Sequence, residues 1–289
     1  MNMYRKRTIN DRQHFTYDKD NREILLEGNK ITDSQIQTIK SLVGRHKIPQ
    51  DSKRYYYESI VYALLNQRMQ YEGALSLMGK IHKLSDSQVE NAHTIYKALK
   101  KKPYSIWWLE NRVAPFYKYV EEHGGVEQVV KQYLENPREM REELRKNVKW
   151  VELKTLSLWY TTLGGEGNLL CLDVHNTIQS QGLGIEIPES NYIPRERQNG
   201  ITKGRKVHSQ IVGKRYLRVE KELTDIFMNS KLVERYPKEF LNEKGELNGS
   251  FVSALLWWQA TQGYRGNHAA QLKLFEEPPR FYNPFKPVK

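Results

Sequence analysis

The sequence predicts an all-α protein built as two helical lobes. Three observations carry that reading. From Asp51 onward, apolar residues recur with the helical period in run after run. Helix punctuation separates the runs: Ser85 before one, the Gly124–Gly125 pair after another, and Pro137 at the start of a third. After Asp173 the pattern loosens into a Pro- and Gly-bearing stretch and then returns to helix, which divides the chain. The expected organisation is an N-terminal segment, 1–50, packing on the second lobe, a first lobe over 51–167, and a second lobe over 168–289. The second lobe carries a basic loop, 189–215, and an extended, proline- and aromatic-rich tail.

Element by element, residues 1–50 are polar and turn-rich. Within them "EILLEG" fits a short strand or a helical turn, and "TDSQIQTIKSLVG" reads as a short amphipathic helix capped by Thr32 or Asp33. "DSKRYYYESIVYALLNQRMQ" puts Tyr57, Ile60, Val61, Leu64 and Leu65 on one face, and the next helix continues with Leu75, Met78 and Ile81. "LSDSQVENAHTIYKALKKK", "NRVAPFYKYVEEHGG", "VEQVVKQYLENP" and "PREMREELRKNV" follow as helices. Then comes "WVELKTLSLWYTTLGGEGNLLCLDVHNTI", a helix, a glycine-rich break and the start of another helix. "YLRVEKELTDIFMN" and "GSFVSALLWWQATQG" complete the helical set.

Composition narrows the function classes. The 289 residues are enough to bury a real core. No apolar run reaches the roughly 18 residues of a membrane span. The charged start, "MNMYRKRTINDRQHFTYDKDN", lacks the apolar stretch of a secretory signal. An intracellular setting is expected, in the cytoplasm and nucleoid or in a nucleus. The single cysteine, Cys171, rules out an internal disulfide, a cysteine-rich zinc site and a four-cysteine iron–sulfur cluster. It reads as a small core residue. The net charge of +12 and a pI of about 9.5 favour a polyanionic partner, nucleic acid above all. A solvated basic surface is the plain rival.

Two charged residues stand out against apolar surroundings, Lys154 at the start of a helix and Asp173 after the glycine-rich break. A helix N-terminus and burial both disfavour an ammonium, which frees an amine for attack. An amine attacking an aldehyde-like carbon gives a Schiff base, and sugar C1′ of a nucleotide becomes such a carbon once the base has left. A carboxylate beside that sugar stabilises the positive charge that departure develops. Ordinary roles compete with this one. Most helical lysines are solvated, and an Asp before a helical run is often an N-cap.

The segment "VKWVELKTLSLWYTTLGGEGNLLCLDVHN" resembles the signature of the helix-hairpin-helix/GPD superfamily of DNA glycosylases. The likeness is strongest to the branch that excises 8-oxoguanine and also cuts the abasic strand, where "VDVH" echoes "LDVH". The resemblance covers about residues 55–185, with a weaker patch at 251–264. It implies a two-lobe fold with the active site in the interlobe cleft, Lys154 as nucleophile and Asp173 as essential carboxylate. It also implies a DNA-backbone role for His175. "YALLNQRMQYEGALSLMGKI" is similar to the helix whose following loop fills the gap left by a flipped base, which makes Asn66, Gln67 and Arg68 candidate wedge residues. "LLWWQATQG" is similar to the segment lining the base pocket, with Gln259 reading the base, Trp257 or Trp258 stacking, and Tyr264 standing in for an aromatic expected near Gly263. No metal and no organic cofactor are implied. The partner is double-stranded DNA carrying a damaged or mismatched base, with no membrane, and the protein acts as a monomer.

The chain also departs from the family. The hairpin usually holds two glycines whose amides meet a phosphate; here Trp150 and Glu152 occupy those positions, with Lys149 a further candidate phosphate contact. The basic loop has no counterpart in the family. Three alternatives stand beside the 8-oxoguanine reading: a glycosylase of the same fold acting on deaminated or mismatched bases, a non-catalytic DNA-binding protein, and an RNA-binding protein favoured by charge alone.

Overall fold

The computed structural model describes residues 14–44, 53–66, 71–99, 107–187 and 213–262. Helices dominate it. The exception is a three-stranded antiparallel meander near the N-terminus: β1 (Phe15–Asp18), β2 (Glu23–Leu26) and β3 (Asn29–Lys30). Phe15 faces Leu26 across the first pair. The second pair turns through Glu27 and Gly28, both with positive φ (50° and 79°), as a two-residue hairpin loop requires. "EILLEG" is thus a strand and its turn. Its strands are too short to show a period, and the sheet stands because Phe15, Ile24 and Leu26 are buried against helices. Helix α1 (Asp33–Gly44) starts with a reciprocal cap. The Thr32 N–H donates to Gln35 Oε1 at 2.9 Å, and the Gln35 N–H donates to Thr32 Oγ1 at 3.3 Å.

The next helices are α2 (Lys53–Leu65), α3 (Tyr71–Ile81), α4 (Asp86–Val89), α5 (Ala92–Leu99), α6 (Trp107–Glu122), α7 (Val126–Glu135), α8 (Pro137–Asn147) and α9 (Leu153–Thr162). Their apolar faces meet in one core, from Tyr55 to Leu169. Helix α2 is its centre. Every residue from Tyr57 to Leu65 is buried, so the single face read from the sequence understates how enclosed this helix is. The Leu75 side chain lies outside the described residues; Ala74, Leu77, Met78 and Ile81 form the buried face of α3. The Gly124–Gly125 stop behaves as read, with φ of 86° and 94° and the Gly125 N–H returning to the Val120 carbonyl at 2.8 Å.

A second core gathers Phe15, Ile24, Ile36 and Ile39 with α11 (Gly213–Met228), α12 (Lys231–Arg235), α13 (Pro237–Phe240) and α14 (Gly249–Gln262), and α10 (Val174–Gly182) lies beside it. The central helix here is α14, against which α1 and α10 pack. Helix α11 begins at Gly213, so Lys214 and Arg215, expected at the end of the basic loop, stand in a helical first turn. The rest of that loop (189–212) and the tail from 263 lie outside the described residues. Among the described residues no helix is long and apolar enough to cross a membrane.

Two short stretches pass between the cores. Leu153 belongs to the second core, while Leu156 and Trp159 of the same helix belong to the first. Leu169 belongs to the first core and Leu170 to the second. Lys154 and Asp173 lie beside these two crossings.

Candidate active site at the junction of the two cores

Helices α8 and α9 form a tight hairpin. Val148 ends α8, its N–H donating to the Leu144 carbonyl at 2.8 Å, and Val148 and Val151 are both buried. Between these anchors the exposed residues Lys149 and Trp150 form the tip. Trp150 adopts φ +66°, in the left-handed region that favours glycine, and is 67% exposed. The backbone here takes a glycine-like conformation although no glycine is present. Glu152 has ordinary extended dihedrals and is the N-cap of α9, with no side-chain capping bond. Lys154 is the second residue of the helix. It is half-buried, less enclosed than its apolar neighbours suggest, and pairs with no acid within 4 Å among the described residues.

Helix α9 ends at Thr162, and Gly164, with φ of 78°, reverses the chain. Gly165 is obligatory for packing, since a Cβ there would sit 2.3 Å from the Tyr160 ring. The Tyr160 hydroxyl accepts the Gly167 N–H at 2.9 Å and fixes the loop from beneath. Beyond it, the backbone of 170–172 is held by side chains from three helices. The Leu170 N–H donates to Glu220 at 2.9 Å, and the Leu170 carbonyl accepts from the Tyr216 hydroxyl. The Leu172 N–H donates to the same hydroxyl at 3.1 Å. The Cys171 N–H donates to Ser253 Oγ at 2.9 Å, and its carbonyl accepts from Asn176 Nδ2 at 2.6 Å.

This clamp delivers Asp173 to the N-terminus of α10. Its Oδ1 accepts the Asn176 N–H at 2.8 Å, so it is the N-cap, with the second carboxylate oxygen left for other work. The side chain is half-buried. Lys154 and Asp173 are both near enough to Cys171 for their charges to act on its thiol. The thiol lies 3.9 Å from the Lys154 carbonyl. Burial pushes its pKa up to about 12; the Lys154 charge pulls it down and the Asp173 charge pushes it further up. Both charges therefore act on one buried atom. The glycine break and its clamp bring two charged residues 19 positions apart in the chain within electrostatic reach of the same buried thiol.

Behind the clamp is a buried ion pair that sequence reading missed. Arg141 of α8 and Glu220 of α11 are 2% and 5% exposed in their side chains and bond at 2.7 and 2.6 Å. Arg141 also donates to Ser157 Oγ of α9 at 2.9 Å. Burial works against the guanidinium, but the hydrogen bonds and charge of Glu220 outweigh it, so the Arg141 pKa lies above its ordinary value. The only local signal is that Arg141 shares a buried face with Met140 and Leu144, and Glu220 one with Tyr216, Val219 and Leu223. Opposite charges on two apolar stripes are what a buried pair between helices leaves in a sequence.

The remaining candidates divide. Asn66 ends α2 and turns back to donate to the Tyr62 carbonyl at 2.8 Å. Helices α2 and α9 run antiparallel, since Tyr55 bonds Thr162 and Ser59 bonds Trp159, so Asn66 lies at the Lys154 end of the pair. Gln67, Arg68 and Tyr264 lie outside the described residues. His175 and Gln259 lie on α10 and α14, and their side chains are likewise outside the description. Trp258 is half-buried and packs on the second core. Trp257, also half-buried, follows Ser253 by one turn on the same face of α14, the face that holds Cys171. Comparison of the chain with protein-family models, curated proteins and solved structures gave no match.

Proposed function

We propose that this protein is a base-excision DNA glycosylase with AP-lyase activity, built on a helix-hairpin-helix/GPD-type fold, with 8-oxoguanine as its target base. One observation carries the reading: Lys154 in the first turn of α9 and Asp173 at the N-cap of α10 both stand beside the places where the chain passes between the two cores. The pair is the chemical minimum for displacing a base with an amine. The glycine-like backbone at Trp150 adds support, because it keeps a hairpin turn in front of the nucleophile where glycines are missing.

In this reading duplex DNA lies across the junction with the target nucleotide extruded, at a cost of a few kcal/mol that is smallest for a damaged base. A side chain near the end of α2, among Asn66, Gln67 and Arg68, fills the vacated stack. The Lys154 amine attacks C1′, and the base leaves with the glycosidic electron pair and takes up the proton that the amine gives up. Asp173 stabilises the positive charge developing on the sugar through its second oxygen. Ring opening gives a Schiff base. Loss of a 2′ proton then expels the 3′ phosphate, and water releases the enzyme. Cys171 stays neutral and adds no competing thiolate.

Borohydride trapping on duplexes carrying 8-oxoguanine, uracil, hypoxanthine, a G·T mismatch or an abasic site tests this. The expected result is a covalent adduct with the 8-oxoguanine and abasic duplexes that disappears in Lys154→Gln while DNA binding persists. An adduct of undiminished yield in Lys154→Gln refutes the nucleophile. An adduct with a different damaged base redirects the substrate. Tight binding without any adduct refutes catalysis.

A further inference from the structure

We propose that Trp150 is a DNA-contacting side chain that packs its indole against the sugar–phosphate backbone next to the extruded nucleotide. The inference rests on the DNA-glycosylase reading and adds to it a residue peculiar to this chain.

Three observations converge on the hairpin tip. Trp150 is 67% exposed, against 39% for Met228 and 36% for Leu217, the other large exposed apolar residues among those described. It makes no hydrogen bond or ring contact among the described residues, so none of these accounts for an indole there. Its backbone sits at φ +66°, a conformation that disfavours any bulky residue, and a glycine would serve the turn better. A large apolar side chain that helps neither packing nor backbone points to a partner.

The surroundings say which partner. Lys146 and Lys149 are exposed on the same hairpin and pair with no acid among the described residues. Nearby acids are largely engaged: Glu142 pairs with Arg145, and Glu143 accepts from the Tyr119 hydroxyl and faces His123. Glu152 is an exposed acid that remains, at the N-cap position of α9. An exposed indole on the same hairpin as two exposed lysines matches a polyanion with apolar rings, which is a nucleic-acid backbone with its sugars. An acidic peptide would answer the lysines but give the indole nothing specific. The tip also leads into α9 four residues before Lys154, so a strand whose sugar reaches that amine passes Trp150.

The test is fluorescence-anisotropy binding of wild type, Trp150→Ala, Trp150→Phe, Trp150→Gly and Lys149→Ala to a duplex with a tetrahydrofuran abasic analogue, over a salt series. Trp150→Ala and Trp150→Gly are expected to weaken binding at least about fivefold, and Trp150→Phe to retain most of the affinity. The salt slope should be unchanged in the Trp150 variants and reduced by about one in Lys149→Ala. Trp150→Gly relieves the backbone, so its melting temperature should equal or exceed that of wild type, which separates lost contact from lost fold. Wild-type affinity in both Trp150→Ala and Trp150→Gly overturns this proposal while leaving the glycosylase reading intact. Failure of the wild type to bind any duplex overturns both.

Discussion

The Arg141–Glu220 pair allows a sharp test of how the two cores hold the site. Both side chains are almost fully buried, and each makes two charge-assisted bonds to the other. Arg141→Met leaves the Glu220 carboxylate buried with the Leu170 N–H as its donor, which costs about 3–5 kcal/mol. Glu220→Met leaves a buried guanidinium bonded to Ser157 alone and costs a similar amount. The double variant contains neither charge. Its main debt is the orphaned Leu170 N–H, about 1–3 kcal/mol, since Ser157 keeps the Tyr216 hydroxyl at 3.2 Å. Additivity would give a double cost of about 6–10 kcal/mol; the structure implies a double variant more stable than either single one. Urea denaturation followed by circular dichroism reads this directly. A double variant whose loss equals the sum of the singles refutes the argument. Borohydride trapping on the same proteins adds a second readout. Stability recovers in the double variant, but the trapping rate stays about tenfold below wild type, because Leu170 has lost one of its holds (about 1.4 kcal/mol at the transition state). Full recovery of both would deny Glu220 any part in positioning the segment.

Other outcomes follow from single contacts. Asp173→Asn keeps an oxygen for the Asn176 N–H and should leave the melting temperature close to wild type while abolishing trapping; Asp173→Ala should also lose about 1 kcal/mol of stability with the cap. Gly249→Ala puts a Cβ 2.3 Å from the Leu169 carbonyl oxygen, a backbone atom with little room to move, so a loss of about 1–3 kcal/mol or more is expected in denaturation. Burial raises the ionisation of Cys171 to about 12 and holds Tyr117, Tyr133 and Tyr216 well above their ordinary 10.0. These groups are neutral when folded and ionise first in the unfolded chain, so their stabilisation is intact below pH 9.0 and lost as pH rises towards 12. Urea midpoints on both sides of pH 9.0 should show that fall; a flat profile would mean these groups titrate while folded.

Much of the helical scaffold was legible because burial leaves a period. Helix α7 reads as helix from Val126, Val129, Val130 and Tyr133 alone, all of them buried. Of the β meander only the middle strand was legible, as one of two readings of "EILLEG", since four-residue strands with mixed exposure carry almost no period. Of the candidate site, Lys154 and Asp173 were visible because a charge in an apolar run is conspicuous. Arg141 was not, because it lies in a helix where charged residues are the rule, 79 positions from the partner that explains it. Trp150 was legible only as a missing glycine. That the turn would keep a glycine's backbone and present an indole to solvent depends on the buried anchors Val148 and Val151, which fix the chain on both sides of it.

The same contrast assigns different tasks to the two cores. Lys154 is carried by a helix whose body is buried in the first core, through Leu156, Trp159 and Tyr160. Asp173 is carried by a segment whose backbone polar groups are taken by Glu220, Tyr216, Ser253 and Asn176, all residues of the second lobe. The alignment of the two charges therefore depends on the fit between cores, which is set by Ser157, Arg141 and the glycines at 165 and 249. Those bonds restrain Leu170–Leu172 against three helices, α10, α11 and α14, and together they leave Asp173 little freedom to shift relative to α9. Such restraint is what electrostatic stabilisation of a developing charge requires, since a carboxylate that must first reorganise loses much of its effect.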